Sequence, residues 1–390
     1  MNTLDVKIED GKLTWHFFAP DVHDFVWAAD PEYVHKKLTM KNGMVLHFIH
    51  KEGQNEENWD KVMPQTEMLF EYASANFGQY PYKQFSVIQG GDGGMEYPMS
   101  TLITGSRGSL IGVTIHEAMH DWYHGILGSN EALHPWMDEG FASYASTRIS
   151  NHINRVTKGE SEPAVTLENL GNNSGQRSYI GLSKSGREEP LSTHSDHFNL
   201  NGAYSSSAYG KGAAWMSQMG YVIGEENLNK ALLAYFEDWK FKHPNPNDLI
   251  RSFEKVAGLE LDWYNEYFVY TTKTIDYGVK EVSGEGNKTN VTLEKVGMMP
   301  MPMDVVVTYK DGSKEVHYMA LRMMRGEKPA ETQDKRIVHP DWAWVNPTYD
   351  FTIDRPMSDI ASIEIDPSGR MADVERGNNK WEVNSLKTNK

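Results

Sequence analysis

IHEAMHDWYHGILGSNEALHPWMDE, residues Ile115 to Glu139, is the stretch on which the rest of the chain depends. It contains His116-Glu117-Ala118-Met119-His120, then eighteen residues, then Glu139. On a helix, positions i and i+4 share a face, so His116 and His120 can present two imidazoles to one metal ion. Glu117 lies about 100° further round the axis, where it reaches a water beside the metal without being a ligand. Glu139, on a second helix, supplies a third ligand, and the fourth position stays open for water, the arrangement of catalytic rather than structural zinc.

The surroundings support helices on both sides of this gap. Ser109 to Ile115, with Ala118 and Met119, reads as an apolar buried helix, and Trp136-Met137-Asp138-Glu139-Gly140-Phe141-Ala142 as the start of another that ends near Ser150. Upstream, Trp59, Val62, Met63, Met68, Leu69, Tyr72 and Ala73 recur at helical spacing and predict a helix over 55–77, stopped by Gly78. Phe85 to Ile88 predicts a strand, followed by the flexible turn Gln89 to Gly94, then Met95-Glu96-Tyr97 and a strand from Thr101 to Thr104. The glycines of this turn suggest backbone passing close to something. Asn42-Gly43 between Lys37–Met40 and Met44–Ile49 predicts a hairpin.

Downstream, residues 151–208 are polar and lack apolar periodicity, a long excursion of the kind that covers a site or moves. His194 and His197 lie in it and read as solvated loop histidines. Ala208 to Tyr221 predicts a helix, followed by helices over Glu226–Lys240, Asn247–Val256 with Asn247 as N-cap, and Asp262–Thr271. Period-two runs follow over Val291–Val296, Asp304–Tyr309, Lys314–Ala320, Tyr349–Ile353 and Ser362–Ile365, with a hairpin turn at Lys310–Ser313. Asn-x-Ser/Thr triplets at Asn172, Asn287 and Asn290 are common by chance.

Composition narrows the partners. The 390 residues include 54 acidic against 38 basic side chains, a net charge of −16, which argues against nucleic acid and anionic membrane surfaces. The sequence has no cysteine, so a zinc site must use imidazole and carboxylate. No run of about 18 apolar residues is present, so no membrane span is expected. The first residues lack the basic and apolar regions of a signal peptide, and a truncated or processed chain is expected.

Three motifs in register resemble the aminopeptidase N and leukotriene hydrolase family of zinc metallopeptidases, the gluzincins. They are the zinc signature with its eighteen-residue gap, Gly93-Gly94-Met95-Glu96-Tyr97, which is similar to Gly-x-Met-Glu-Asn, and Tyr209-Gly210-Lys211-Gly212, which matches Tyr-x-Lys-Gly. The resemblance covers roughly residues 50–275 and implies an α+β fold. A thermolysin-like zinc catalytic domain with a helical lobe (51–273) would be followed by a C-terminal immunoglobulin-like β-sandwich (274–390). Residues 1–50 would be the β-rich remnant of an N-terminal domain.

The resemblance also implies roles. His116, His120 and Glu139 would hold one zinc ion, and Glu117 would act as general base and then acid. Gly93, Gly94, Met95 and Glu96 would bind substrate, the glycine backbone aligning the peptide and Glu96 taking its free α-amine. Tyr209 would stabilise the oxyanion, and Tyr204 is a second candidate tyrosine. Tyr97, Asp121 and Asp138 depart from the family's Asn, Gln and Asn. The expected activity is a zinc-dependent aminopeptidase acting on peptides with a free N-terminus. The alternatives are an endopeptidase or non-peptide hydrolase on the same site, or a non-catalytic binding module. An extracytoplasmic location is expected, because family members with such a sandwich are often exported.

Overall fold

The computed structural model describes residues 2–91, 93–106, 108–163, 166 and 174–383. Asn172 lies outside them. Contacts divide the chain into two compact units, residues 1–131, 137–161 and 232–245 in one, and residues 132–136, 162–231 and 246–390 in the other.

The first unit opens with the antiparallel pair β1 (Asn2–Glu9) and β2 (Lys12–Phe18), a two-stranded sheet. Next come β3 (Tyr33–Thr39), β4 (Val45–Lys51), α1 (Glu56–Asn76), β5 (Gln84–Gln89), β6 (Gly94–Tyr97) and β7 (Ser100–Ile103). Their sheet has the order β3-β4-β5-β7-β6. β3 and β4 form the expected hairpin, with Thr39 opposite Val45 and Gly43 at a positive φ of 85° that glycine adopts without strain. The expected boundary at residue 50 does not coincide with a break in this sheet. β4 pairs in parallel with β5, Leu46 opposite Phe85, and both strands bury most of their side chains. A strand buried on both faces needs neighbours on both edges, and β5 and β7 supply the second.

Helix α1 buries Trp59, Val62, Thr66, Leu69, Phe70 and Ala73 along one stripe. Gly78 ends the segment for a packing reason as well as a conformational one. Its φ is 123°, and a Cβ there would sit 2.1 Å from the Phe236 ring. Helix α2 (Ile111–His120) packs on β6, β7 and α1, and continues without a break into a π-helical turn, Asp121–Ile126. A second π-helical turn, Trp136–Gly140, leads into α3 (Phe141–Lys158), which packs against α2. The sequence predicts an end near Ser150, but α3 runs two turns further because Ile149 and Ile153 keep its apolar stripe buried. It stops at Gly159, left-handed at φ 68°.

The second unit contains α4 (Gln176–Lys184) and α5 (Asn201–Ser205), a third π-helical turn (Ser206–Lys211), and α6 (Gly212–Ile223). It also contains the start of α7 (Glu225–Trp239), then α8 (Pro246–Ala257) and α9 (Asp262–Phe268). α4 was not expected in the polar excursion; Tyr179 and Leu182 are the apolar residues that anchor it. α8 starts at Pro246, so Asn247 sits in the first turn instead of capping it. Proline suits that first position because the missing N–H has no partner there in any helix.

Among the described residues, eight strands follow in two sheets. β8 (Tyr277–Glu285), β9 (Lys288–Lys295) and β13 (Thr348–Ile353) form one, in the order β13-β9-β8. β10 (Met303–Tyr309), β11 (Lys314–Leu321), β12 (Lys335–Trp342), β14 (Ile360–Ile365) and β15 (Lys380–Glu382) form the other, in the order β12-β11-β10-β14-β15. Lys310–Ser313 makes the expected turn, with Gly312 at φ 85°. Phe351 of the smaller sheet packs on His317 and His339 of the larger, and Tyr277 packs on Trp342.

This region does not stand apart from the helices at residue 273. The Tyr221 hydroxyl of α6 donates to the Pro302 carbonyl and accepts from the Asp304 N–H, and Gln176 of α4 donates to the Arg370 carbonyl. An ionic cluster joins them. Arg370, fully buried, donates to both oxygens of Glu331, and Lys328 donates to Glu331, Asp304 and the Tyr221 carbonyl. Burial opposes ionisation of Glu331, yet Lys328 and Arg370 hold its carboxyl at about 2. Among the described residues no helix is long and apolar enough to cross a membrane.

Candidate metal centre and active site

α2 brings His116 and His120 to one face, and the π-helical turn before α3 brings Glu139 to meet them. His116 Nε2 lies 3.2 Å from Glu139 Oε2, His120 Nε2 lies 3.3 Å from the same oxygen, and the two Nε2 atoms are 3.4 Å apart. These separations test whether a metal fits. Zinc ligands at about 2.0–2.2 Å in a tetrahedron stand about 3.3–3.6 Å from one another. The three donors form that triangle. Burial disfavours charge on His120, yet Asp138, Glu139 and Glu96 draw its imidazole well above the usual value, so the surroundings favour positive charge at this point.

Asp138 and Asp121, both open in the sequence, now separate. Asp138, 1% exposed, accepts from His120 Nδ1 at 2.5 Å. This leaves Nε2 facing the other donors and fixes the ring, as a carboxylate does behind a metal-ligating histidine. Asp121 faces away. Its carboxylate accepts from the Tyr80 hydroxyl at 2.9 Å and the Met99 N–H at 3.0 Å, which ties the end of α2 to the sheet, and burial pushes its carboxyl up to about 7. One residue after His120 on a helix points about 100° away, so this separation follows from spacing. Nothing in the sequence marks Tyr80 as the partner.

β6 is the edge strand of its sheet and runs beside α2. Gly94 and Glu96 share the face toward the helix, because side chains alternate along a strand. A Cβ on Gly94 would lie 2.2 Å from Glu117 Oε1 and 2.8 Å from Val113 Cγ2 as they stand, so the strand passes directly over the Glu117 carboxylate. Glu96 carries its own carboxylate to within 4.8 Å of both Glu117 and His120. Burial raises the Glu96 carboxyl, His120 opposing and Asp138 and Glu139 adding to it. Burial likewise pushes Glu117 up to about 7, with His120 and His116 pulling it down and Glu96 and Glu139 pushing it further. Gly93 has open space where a side chain would be, and Met95 projects from the other face, 37% exposed. Tyr97 alternates with Glu96 and also points away from Glu117.

Tyr209 belongs to the second unit, on the π-helical turn Ser206–Lys211, and is half-buried. Its neighbours explain the motif. Lys211 is fully buried, donates to Glu188 at 2.7 Å and lies over the Phe268 and Tyr179 rings. A Cβ on Gly210 would meet Ser178 of α4 at 2.8 Å. The buried ion pair and the close helix contact fix the turn that carries Tyr209. Among the described residues, three π-helical turns follow or contain residues of two of the motifs, the zinc signature and Tyr209–Gly212, the context in which such insertions are common. Tyr204 packs its ring on Phe198. His194 Nδ1 accepts from the Asp196 N–H and its ring packs on His197, in keeping with loop roles.

Two imidazoles and one carboxylate at tetrahedral spacing, with the carboxylates of Glu117 and Glu96 beside them, form a candidate metal centre. Residues 93–268 match the family described as "Peptidase family M1 domain". The chain is 29% identical to aminopeptidase B of Rattus norvegicus over 202 residues, covering 49% of this chain and 28% of that protein. It is 26% identical to leucine aminopeptidase 2 of Chaetomium globosum over 194 residues, covering 45% of this chain and 31% of that protein. The chain thus spans about a third or less of the length of these curated relatives. Legionella pneumophila aminopeptidase A, solved in complex with aspartic acid, shares the fold with a TM-score of 0.58 at 13% identity, over 87% of this chain and 38% of that one.

Proposed function

We propose that the chain is a zinc aminopeptidase that hydrolyses the first peptide bond of peptides with a free N-terminus. The observation that carries this reading is the position of Glu96. Its carboxylate lies within 4.8 Å of Glu117, on an edge strand whose open backbone can pair with an added peptide strand. Within one residue the α-nitrogen and carbonyl carbon are about 2.5 Å apart. An ammonium held by Glu96 therefore leaves room for a single residue before the carbonyl that Glu117 serves.

His116, His120 and Glu139 would hold the ion, and the chemistry supplied there would be Lewis acidity toward a water and a carbonyl oxygen. Glu117 takes a proton from the attacking water and passes it to the leaving amine nitrogen. Tyr209, a phenol that stays protonated at neutral pH, is the residue that the Tyr-x-Lys-Gly resemblance implies as donor to the oxyanion. Glu96 fixes the amine and β6 fixes the peptide direction, which together hold the reacting atoms in place. The helices of residues 51–273 would be a thermolysin-like catalytic domain with its lobe, and the two C-terminal sheets an immunoglobulin-like sandwich.

Comparing turnover of an aminoacyl anilide with that of its N-acetylated form tests the reading. Hydrolysis of the free-amine substrate alone is expected, with the preference lost in Glu96→Gln. Equal hydrolysis of the two forms by the wild type would remove amine recognition from the account.

A further inference from the structure

The π-helical turn that continues α2 carries one more imidazole, His124, four residues beyond His120. One ring nitrogen of His124, one carboxylate oxygen of Glu131 and one of Asp138 all lie within 4.8 Å of one another. Neither His124 nor Glu131 takes part in the peptidase chemistry described above. His124 Nδ1 is buried and has no hydrogen-bond partner among the described residues. Leaving such a nitrogen dry and unpaired is unfavourable, so the ring has an unmet hydrogen-bonding or ligating capacity beside the two carboxylates. The His124 ring is also held in place. His23 packs edge-on against it, ring centroids 4.8 Å apart, and the His23 Nε2 lies 3.2 Å from the His124 carbonyl oxygen.

The other two members complete a donor set. Asp138 is 1% exposed, and His120 takes one of its oxygens. A carboxylate has acceptor capacity on both oxygens, so Asp138 can face two sites. Glu131 lies on the exposed turn before the Glu139 segment and gives an approach from solvent. The chain's net charge of −16 favours cations near its surface.

We propose that His124, Glu131 and Asp138 form a second divalent-cation site, coupled to the His116–His120–Glu139 centre through Asp138. One imidazole with two carboxylates suits zinc, cobalt or nickel better than magnesium or calcium. The site is weaker than the first, because Glu131 is exposed to solvent and Asp138 is shared with His120. A cation drawing on Asp138 weakens that carboxylate's hold on His120, so filling the second site lowers turnover.

The test is zinc content of the whole chain at rising free zinc, measured by elemental analysis after rapid removal of unbound metal. The wild type is expected to pass from one ion to two. Glu131→Gln and His124→Gln are expected to keep the first ion, which reports an intact fold, and to weaken the second about tenfold or more. Loss of turnover in the wild type should track the second ion and be absent in Glu131→Gln. A wild-type chain that saturates at one ion overturns the proposal. So does uptake of the second ion by both variants with wild-type affinity. Failure of the first site would appear separately, as a chain that binds no ion at the lowest zinc levels.

Discussion

Removing the carboxylate behind His120 should weaken the metal centre without touching a ligand. In Asp138→Ala the imidazole Nδ1, on a side chain 1% exposed, loses an acceptor at 2.5 Å. A hydrogen bond to a charged group contributes about 1.5–3 kcal/mol, and its buried partner is then left unsatisfied. At about 1.4 kcal/mol per decade that is a ten- to hundredfold loss of metal affinity or somewhat more. The loss falls in the range of about 10–100-fold seen when a partner of a metal-bound histidine is removed. Asp138→Asn keeps a neutral acceptor and should lose less, since a charge-assisted bond is about twice as strong as a neutral one. Competition with a chelator at substoichiometric zinc measures the affinity of the tighter site alone. Wild-type affinity in a folded Asp138→Ala chain would refute the role given to this carboxylate.

Tyr209→Phe should retain zinc and fold, since only the hydroxyl is lost, and should lower kcat by about 10²–10³ with little change in KM. Steady-state kinetics on an aminoacyl anilide checks it. The ionic cluster makes a stability prediction whose sign follows from Glu331. Its folded value, about 2, lies below the ordinary 4.5, so its contribution is full above 4.5 and is lost as pH falls toward 2. Glu331→Gln should melt at lower temperature than the wild type at neutral pH, with the gap narrowing across that window in thermal scans.

The juxtaposition of His116, His120 and Glu139 in the first unit was largely legible in the sequence. Histidines four apart on an apolar run can only share a helix face, and the Glu139 segment reads as a helix of its own. Register carried Glu96 as well, since its place two residues beyond Gly94 sets both on one face of β6. Other features depend on three-dimensional neighbours. The roles of Asp121 and Asp138 were decided by Tyr80, Met99 and His120, which are close in space and partly distant in sequence. α4 was hidden because Tyr179 and Leu182 are too few apolar residues to show a period. The strands at the C-terminus were expected to alternate, and β9 does, but β10 is buried on both faces. A strand with sheet on both edges and helices against it shows no period-two pattern. β8, β12 and β15 were missed, being edge strands with mixed exposure.

Glu117→Gln tests the central claim most directly, because it changes one atom and touches no ligand. Zinc content and turnover of an aminoacyl anilide should be measured on the same preparation. The account predicts wild-type zinc at the first site and a loss of about 10²–10⁴-fold or more in turnover, the contribution of a general base. Zinc-loaded Glu117→Gln with wild-type turnover would contradict it.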